Sequence, residues 1–409
     1  MESQYFKTLP SWTYTSEHFF ELEKKNLFLN NWQLICHISN IPNPGDYVTF
    51  NLFEERLMAV RNEQWEVNVF HNVCSHRATR LLEDEVGNCG KRIRCPYHAW
   101  SYDLSGNLKN VPDLEQFENL DLLKYGLKPV EMEVFQGFIF ARVIPNDIPS
   151  VAVQFEPYID ELALYRLEEL EPLGRVTMRP RAVNWKQVAD NYVDVMHIPV
   201  AHPGLSGLVG NSYGVEVSDN GGFIHKMSGD LNQTRKKILS NDLYKKYLPR
   251  VSHLPNEKQM HWVYFRLWPN LAFDVYPDQM DFMQFIPINA STTMIREIPF
   301  ALKDERREMK VARYLNWRIN REVNAEDTDL INWVQEGMQT SAFESGPLAK
   351  TEICLIDSAE KIRKAIPVAR LDREPESEKI APLNYDLLLS PHQKSKVSLI
   401  HESTTRDLK

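Results

Sequence analysis

The sequence has few cysteines and no long hydrophobic run. Five cysteines among 409 residues are too few for a disulfide framework, and their odd number leaves one unpaired, so we expect thiols that are free or bound to a metal. No run of roughly 18 apolar residues occurs, and no basic segment followed by an apolar one stands at the beginning. We therefore expect a cytoplasmic protein with no membrane span and no secretory leader.

Positive charge is not in excess either. The chain has 47 basic and 56 acidic side chains, and a formal net charge of −9 works against binding to nucleic acid or to anionic membranes. Hydrophobic residues make up 43% and charged residues 25%, close to the averages of soluble globular proteins, which excludes a disordered chain. At about 150 residues per domain, the length predicts two or three domains.

Changes in hydrophobic periodicity divide the chain into parts. Residues 15–33 have apolar side chains at helical spacing, and residues 44–143 show short strand-like runs that predict a compact all-β module. A second, mixed domain is predicted from helical patterns at 155–170, 184–198 and 302–338 and from strand-like runs at 261–299. The polar stretch 371–379 is predicted to be a mobile linker or tail.

Two cysteines form Cys/His pairs. Cys74 precedes His76 and Cys95 precedes His98, with eighteen residues between the pairs. Zinc accepts two thiolates and two imidazoles, but zinc modules usually pair two cysteines on one knuckle, whereas each loop here has a mixed pair. A Rieske [2Fe–2S] centre needs two sulfur ligands on one iron and two histidines on the other, which two mixed loops supply. The spacing favours a Rieske cluster, and a zinc site is the alternative.

A second group of metal-ligand residue types follows further along the chain. Asp194 and His197 are three residues apart, which places them on one face of a predicted helix, and His202 follows just past Pro199. Two imidazoles on either side of a helix break can converge on one metal ion. With a carboxylate from elsewhere they would form the 2-His-1-carboxylate triad of non-haem Fe(II) oxygenases. The alternative is a pair of hydrogen-bonded structural histidines.

Asp327 is the best candidate for that carboxylate. Glu326 and Asp329 lie on other faces of the late helical pattern, whereas Asp327 shares its face with apolar residues: Leu330, Ile331 and Val334. A carboxylate on an apolar face costs free energy unless it is paired or bound to a metal, which favours a ligand over a buried ion pair.

With these motifs the chain resembles the large (alpha) subunits of Rieske non-haem iron ring-hydroxylating oxygenases. The resemblance covers roughly residues 15–370 and rests on C-x-H…C-x-x-H, N-W-K…D-N-Y-x-D…H…H and E-D…V-Q-x-G, in that order. It implies an α+β fold in which an all-β Rieske domain is inserted in a helix-grip catalytic domain of antiparallel sheet and helices. The implied parts are an N-terminal helical segment packing on the catalytic domain (1–42), the Rieske domain (43–145), the catalytic mononuclear-iron domain (146–371) and a C-terminal tail (372–409).

The resemblance also implies a role for each candidate residue. The cluster ligands would be Cys74, His76, Cys95 and His98, and the ligands of the mononuclear Fe(II) would be His197, His202 and Asp327. Asp194 matches the carboxylate that bridges a cluster histidine of a neighbouring subunit, here His98, to an iron ligand, here His197. Asn191 matches a position near the iron, with helix capping or packing as the alternative. A homotrimer is implied because the two metals of one subunit are too far apart for fast electron transfer.

The implied function is the terminal oxygenase component of a mono- or dioxygenase system that uses O2. No G-x-G-x-x-G follows a strand, so electrons from NAD(P)H must arrive through a separate reductase or ferredoxin. The substrate is a small organic molecule, and family frequency favours an aromatic one, as in aromatic hydrocarbon catabolism.

The aromatic side chains are compatible with two classes of substrate. They are concentrated in the predicted strands between 261 and 285, and strand alternation sends about half of them inward: Trp262, Tyr264, Phe265, Trp268, Phe273, Tyr276, Phe282 and Phe285. Such a lining suits an arene, but it also suits cation–π binding of a quaternary ammonium compound such as betaine, choline or carnitine. Oxidative N-demethylation or monooxygenation of such a compound is the alternative function, and a zinc-binding or electron-carrier protein is the alternative outside enzymes.

Overall fold

The computed structural model describes residues 6–210, 213–231 and 238–389. The helices are α1 (Glu17–Glu23), α2 (Val151–Gln154), α3 (Ile159–Ala163), α4 (Trp185–Val193), α5 (Ile198–Ala201), α6 (Pro203–Val209), α7 (Leu239–Tyr247), α8 (Arg307–Met338), α9 (Ile353–Ala365) and α10 (Ser377–Leu388). The strands of the first half are β1 (Phe6–Lys7), β2 (Gln33–His37), β3 (Asp46–Leu52), β4 (Glu55–Arg61), β5 (Val67–His71), β6 (Val86–Asn88), β7 (Ile93–Arg94), β8 (Ser101–Tyr102), β9 (Leu108–Asn110), β10 (Glu131–Phe135) and β11 (Phe138–Arg142). Those of the second half are β12 (Glu171–Pro172), β13 (Thr177–Arg181), β14 (Gly214–Val217), β15 (Ile224–Asp230), β16 (His261–Leu267), β17 (Leu271–Val275), β18 (Met280–Asn289), β19 (Thr292–Ala301) and β20 (Pro347–Leu348).

Residues 33–142 form three small antiparallel sheets, with strand orders β5-β4-β3-β6, β7-β8-β9 and β10-β11-β2. Alternate side chains of strand β4 are buried in two different cores, which explains its alternating apolar pattern. Met58 and Val60 pack in one core with the two candidate cluster cysteines, whereas Leu57 and Ala59 pack in the other. The strands expected between 44 and 143 are present, and β2 adds one before them.

Residues 171–301 contain an eight-stranded antiparallel sheet in the order β12-β19-β18-β17-β16-β15-β14, with β13 also paired to β19. Alternation along the strands divides the aromatic side chains between its two faces. One face buries Phe265, Phe273 and Phe282 in the core that includes α2 and α3. The other buries Trp262, Tyr264 and Tyr276 beneath α6, α7 and α8, as expected for about half of these rings.

Helix α8 is the long charged helix predicted at 302–338, beginning five residues later. Its 32 residues span about 48 Å, and it packs against α4, α6 and α7 on the helix-covered face of the large sheet. This placement brings the middle of α8, with Asp327, next to the end of α4. None of the helices in the described ranges combines the length and apolar character needed to cross a membrane.

Two terminal segments differ from the sequence expectation. The helix expected over 15–33 ends at Glu23 and continues as a π-type turn through Phe28. Glu23, at this junction, is fully buried and lies 2.6 Å from Lys186 Nζ of α4. Residues 377–388, expected to be a linker or tail, form α10. Ile380 of that helix is buried in a core with α4 and α9, which anchors it; residues 390–409 lie outside the described ranges.

Candidate metal centres

The two Cys/His loops lie side by side. Cys74 and Cys95 are buried in the same core, and the ring centroids of His76 and His98 are 4.7 Å apart. The ring of Trp100 stacks on His76 at 4.7 Å with an interplanar angle of 5°. The structure therefore brings all four predicted cluster residues together.

Both loops turn by the same backbone arrangement. The Ala78 amide donates to the Cys74 carbonyl and the Ala99 amide to the Cys95 carbonyl, each at 3.1 Å. Both alanines have a left-handed backbone, with φ of 57° and 58°. Non-glycine residues adopt this conformation at a cost in free energy, and such strain recurs at ligand clamps. The turns reverse each loop directly after its candidate ligands.

The nitrogens of these two loops test whether a cluster fits. Nδ1 of His76 and Nδ1 of His98 are buried and have no hydrogen-bond partner among the described residues. A buried nitrogen without a partner costs about 1–3 kcal/mol, and a metal bond would remove that cost. The Tyr102 hydroxyl lies 3.2 Å from Cys74 Sγ, where it can donate to a thiolate. Two sulfurs and two unpartnered imidazole nitrogens fit a Rieske cluster.

A second group of ligand atoms converges where α4 ends. Nε2 of His197 lies 3.0 Å from Nε2 of His202, and Asp327 Oδ1 lies 2.8 Å from His202 Nε2 and 3.5 Å from His197 Nε2. In the described part of the chain, these three residues are the one group of three or more possible metal ligands whose ligand atoms all lie within 4.8 Å of one another. Two imidazoles and one carboxylate on one side of a point fit a metal ion with open positions.

The backbone that presents the histidines is broken rather than helical. Helix α4 ends at Val193, Asp194 is extended with ψ of 124°, and His197 and His202 flank the single turn of α5. The prediction that Asp194 and His197 share one face of a continuous helix is therefore wrong. The break lets both rings turn toward α8, which a continuous helix would prevent.

Three polar side chains hold the candidate ligands from outside. Asp194 Oδ2 lies 3.1 Å from His197 Nδ1, and Glu326 Oε2 lies 2.8 Å from His202 Nδ1. Asn191 Nδ2 donates to Asp327 Oδ1 at 3.0 Å. Carboxylates on the outer nitrogen of a histidine fix its tautomer and orientation, as in many metal sites. Helical periodicity places Glu326 on another face of α8 than Asp327 and did not predict this contact, although Glu326 belongs to the E-D motif.

The charges of this site favour a cation. Burial alone would lower the pKa of His197, but Asp194 and Asp327 outweigh it and raise that pKa to about 9. Burial alone would raise the pKa of Asp327, but His197 and His202 outweigh it and lower that pKa to about 2. Acidic groups that stabilise protons on two imidazoles would also stabilise a metal ion in their place.

Acidic side chains on the large sheet were not singled out by the sequence. Tyr192, next to Asn191 on α4, donates to Asp274 Oδ1 at 2.5 Å, and Tyr276 donates to Asp274 Oδ2 at 3.2 Å. Asp281 is the direct partner of Asp274 on β18. The only available signal was an acidic residue in each of two otherwise apolar strand patterns.

Two family models match this chain. The model for the ring hydroxylating alpha subunit (catalytic domain) matches residues 167–367, and the model for the Rieske [2Fe-2S] domain matches residues 31–128. The carnitine monooxygenase oxygenase subunit of Escherichia coli (strain K12) is 32% identical over 351 residues, which are 82% of this chain and 85% of that relative. The chain belongs to the Rieske ring-hydroxylating oxygenases. The expected α+β fold, a Rieske domain with a catalytic domain of antiparallel sheet and helices, is confirmed.

Other relatives and solved structures of this Rieske oxygenase family match as well. The glycine betaine monooxygenase oxygenase subunit of Pseudomonas aeruginosa (strain UCBPP-PA14) is 31% identical over 200 residues, 48% of this chain and 45% of that relative. The quaternary ammonium Rieske monooxygenase CntA in complex with L-carnitine superposes with a TM-score of 0.72 at 23% identity, covering 89% of this chain and 97% of that one. Naphthalene 1,2-dioxygenase from Rhodococcus sp. superposes with a TM-score of 0.70 at 20% identity, covering 88% of this chain and 94% of that one. The fold alone therefore does not decide the substrate.

The chain is a Rieske non-haem iron oxygenase, and its cofactors are a Rieske [2Fe–2S] cluster and a mononuclear iron. In that family the zinc-site alternative for the Cys/His loops has no support. Among the described residues, no hydrogen bond or ion pair joins the two Cys/His loops to Asp194 or to the His197, His202 and Asp327 group.

Proposed function

We propose that this chain is the oxygenase component of a monooxygenase that acts on a quaternary ammonium compound, with electrons from NAD(P)H delivered by a separate reductase or ferredoxin. The observation that carries the proposal is the 32% identity to a carnitine monooxygenase oxygenase subunit over most of both chains. A second relative, a glycine betaine monooxygenase oxygenase subunit, supports the same substrate class. The aromatic substrate favoured by family frequency is the competing proposal.

Each cofactor has a candidate set of ligands. Cys74, His76, Cys95 and His98 would hold the cluster, and His197, His202 and Asp327 would hold the iron. When bound, the cluster supplies one-electron transfer and the iron supplies oxygen activation at its open positions.

The chain's own residues set the geometry of the iron site. Asp194 and Glu326 accept from the outer nitrogens of His197 and His202, which directs both Nε2 lone pairs toward the same point. Asn191 donates to Asp327 Oδ1 and so limits rotation of that carboxylate. These contacts support a rigid set of three donors, which a site of fixed open geometry needs.

The proposed reaction is hydroxylation of a C–H bond next to the quaternary nitrogen. One atom of O2 enters the substrate and the other leaves as water, which takes up two electrons and two protons. The hydroxylated product then loses its C–N bond, releasing a tertiary amine, an aldehyde and a proton. The reductase supplies both electrons, so the balance closes with one NAD(P)H oxidised per O2.

We also propose a homotrimer in which Asp194 of one copy faces His98 of the next. Apolar side chains near both residues support a protein contact there: Met196 is 54% exposed, Val200 86% and Tyr97 57%. Exposed apolar side chains of this size beside functional residues are typical of interaction sites. Asp194 would then link the two metal centres across the subunit boundary, as the resemblance implies.

A substrate panel tests this function. The purified holoenzyme, with a surrogate reductase and NADH, is supplied with L-carnitine, glycine betaine and choline, and in parallel with benzene and benzoate. We expect O2 uptake that matches the release of amine and aldehyde from at least one quaternary ammonium compound. Coupled oxidation of an arene, with none of the quaternary compounds consumed, would establish the competing substrate class. A colourless protein with one zinc per chain would contradict both.

A further inference from the structure

Asp274 and Asp281 form a pair of neighbouring carboxyl groups in the middle of the large sheet. They are direct cross-strand partners on β17 and β18. Burial raises the pKa of Asp274 to about 6, and burial together with the neighbouring Asp274 raises the pKa of Asp281 well above its usual range. The pair therefore carries about one negative charge and one proton near neutral pH. Tyr264 on β16 is the cross-strand partner of Asp274 on its other side. The three side chains therefore stand in one row on the same face of three adjacent strands.

The charge of this pair has no cationic partner in the described part of the chain. Neither Asp274 nor Asp281 takes part in an ion pair among the residues that the structure describes. A further carboxylate that acts on Asp281 is Glu297, which itself pairs with Arg179. The hydrogen-bond donors that reach Asp274 are neutral tyrosine hydroxyls. Buried carboxylates are normally paired with a cation, so this pair is unusual.

The pair faces an internal space. Leu271, Ala272, Phe273 and Val275 of β17 are 0–3% exposed, yet Asp274 between them keeps accessible surface and is only half-buried. Asp281 on the next strand is likewise half-buried. A residue in the middle of a central strand with buried neighbours keeps such surface only where a cavity opens onto it. That cavity lies on the helix-covered face, because Tyr192 of α4 contacts Asp274 there.

Aromatic rings surround the same space. Tyr192 and Tyr213 are half-buried, and the Tyr213 ring lies 6.0 Å from the ring of Tyr264. We call Tyr192, Tyr213, Tyr264, Asp274 and Asp281 the acidic tyrosine wall. Faces of tyrosine rings attract cations, and a nearby carboxylate adds direct charge attraction. A quaternary ammonium group cannot donate an N–H hydrogen bond, so rings and negative charge are what its recognition requires.

The acidic tyrosine wall adjoins the candidate iron site by two routes. Tyr192 follows Asn191, whose side chain donates to Asp327. The hydroxyl of Tyr276, which donates to Asp274, accepts from Asn320 Nδ2 at 3.0 Å. Asn320 precedes Asp327 by seven residues on α8, about 10 Å along that helix. The wall and the three candidate ligands therefore border the same region between sheet and helices.

We propose that the acidic tyrosine wall is the subsite that receives the quaternary ammonium group of the substrate, with Asp274 and Asp281 as its charge partners. This proposal rests on the proposed function, because it names the part of the site that selects that substrate class. It makes these residues determinants of specificity rather than of oxygen chemistry. A substrate bound here would present the carbons beside its nitrogen toward the iron site.

Matched probes separate charge from shape. In 3,3-dimethylbutan-1-ol a neutral carbon replaces the positively charged nitrogen of choline, with the same shape. Glycine betaine and 3,3-dimethylbutanoate form a second pair of this kind. Binding of each pair to the holoenzyme is measured by calorimetry without reductase. We expect the charged member of at least one pair to bind about tenfold more tightly or better, in line with a desolvated cation site.

The double variant Asp274→Asn with Asp281→Asn removes the charge of the pair and should abolish that preference, while binding of the neutral isostere stays within about twofold. The amide oxygen introduced at position 274 can still accept from Tyr192, and Asp281→Asn alone leaves both tyrosine bonds and the charge of Asp274 in place, so it should fold and keep the preference. Asp278→Asn is the matched control, because Asp278 is a buried aspartate that accepts from Tyr244 and Asn316 and lies outside the acidic tyrosine wall. It should keep the wild-type preference.

The outcomes separate this proposal from the proposed function. If quaternary ammonium compounds are oxidised but the double variant keeps the wild-type KM and preference, the function stands and the acidic tyrosine wall is refuted. If no quaternary compound is oxidised, yet the charged probe binds better and the double variant loses that preference, the wall stands and the function is wrong. Equal binding of both probes to the wild type refutes the wall directly.

Discussion

His202 and Asp327 meet at 2.8 Å, Nε2 to Oδ1, although they come from a short broken segment and from the middle of the longest helix. Neither residue belongs to an element that could bind a metal alone. Their contact depends on α8 packing across the end of α4, which therefore determines whether the candidate iron ligands meet.

Loss of the carboxylate at 327 should remove the mononuclear iron alone. Asp327→Ala takes away one of three donors, so we expect iron to fall from about three to about two atoms per chain while the Rieske absorbance is retained. Metal analysis and the visible spectrum of the same sample measure both quantities. Glu326→Gln keeps a neutral acceptor on His202 and should weaken iron binding only about 10–100-fold. Full iron occupancy in Asp327→Ala would show that this residue is not a ligand.

Asp194 should be needed for turnover rather than for metal binding. Asp194→Ala removes the partner of His197 Nδ1 but none of the candidate ligand atoms, so both metals should remain while coupled turnover falls at least about 100-fold. The informative measurement is stopped-flow absorbance: the cluster should still be reduced by the reductase but should reoxidise slowly with substrate and O2. Asp329→Ala, an exposed acidic residue on α8, is the control. Wild-type turnover in Asp194→Ala would disprove the bridging role.

The buried ion pair between Lys186 and Glu23 should be strongly coupled. The side chains of Lys186 and Glu23 are 1% and 0% exposed, and Lys186 Nζ lies 2.6 Å from Glu23 Oε1. Lys186→Met therefore leaves an unpaired carboxylate in the core. We expect a loss of about 3–5 kcal/mol of stability for the single variant, and recovery of most of it in Lys186→Met combined with Glu23→Leu. Denaturant melts of the three proteins give the coupling energy. Additive effects of the two substitutions would argue against a coupled pair.

Acid should destabilise the protein partly through His225. This histidine is buried, its Nε2 donates to Asp357 Oδ2 at 2.7 Å, and burial lowers its pKa to about 4. The unfolded chain takes up a proton at this histidine near pH 6.5, whereas the folded chain does so only near pH 4. Neutral His225 therefore contributes fully to the free energy of unfolding above about pH 6.5. This contribution declines as the pH falls toward 4, by about 3 kcal/mol in total.

His225→Gln keeps a neutral donor toward Asp357 and removes this titration. Its stability should therefore fall less steeply than that of the wild type between pH 6.5 and 4, as measured by denaturant melts at each pH. The pKa of Asp357 is lowered by His225 and Lys361 against the effect of burial, so it also favours stability at higher pH. Parallel curves for the two proteins would exclude the assigned role of His225.

Short-range spacing was enough to single out the candidate metal ligands. Each Cys/His pair spans at most four residues, and His197 and His202 lie on either side of a proline. The local sequence therefore already restricts where these side chains can point. The apolar face of α8 also singled out Asp327, because helical periodicity is a local property. In the same way, alternation in the strands predicted that Tyr264 and Phe265 would face opposite sides of the large sheet.

Contacts between distant elements could not be predicted in that way. The sequence predicted that Asp194 and His197 lie on one helix. In the structure, α4 ends at Val193, where it packs against α8. Glu326 faces His202, and Asp281 stands beside Asp274, only because of how helix and strand are positioned in three dimensions.

By itself the sequence determined the two cofactor motifs, the oxygenase family and the periodicity of the strands and of α8. The tertiary structure alone decided which carboxylates orient the histidines and that Asp274 and Asp281 stand side by side on the helix-covered face of the large sheet. The physical reason is that ligand spacing and amphipathic periodicity are set within a few residues. Strand register and helix packing depend on the free energy of the whole core.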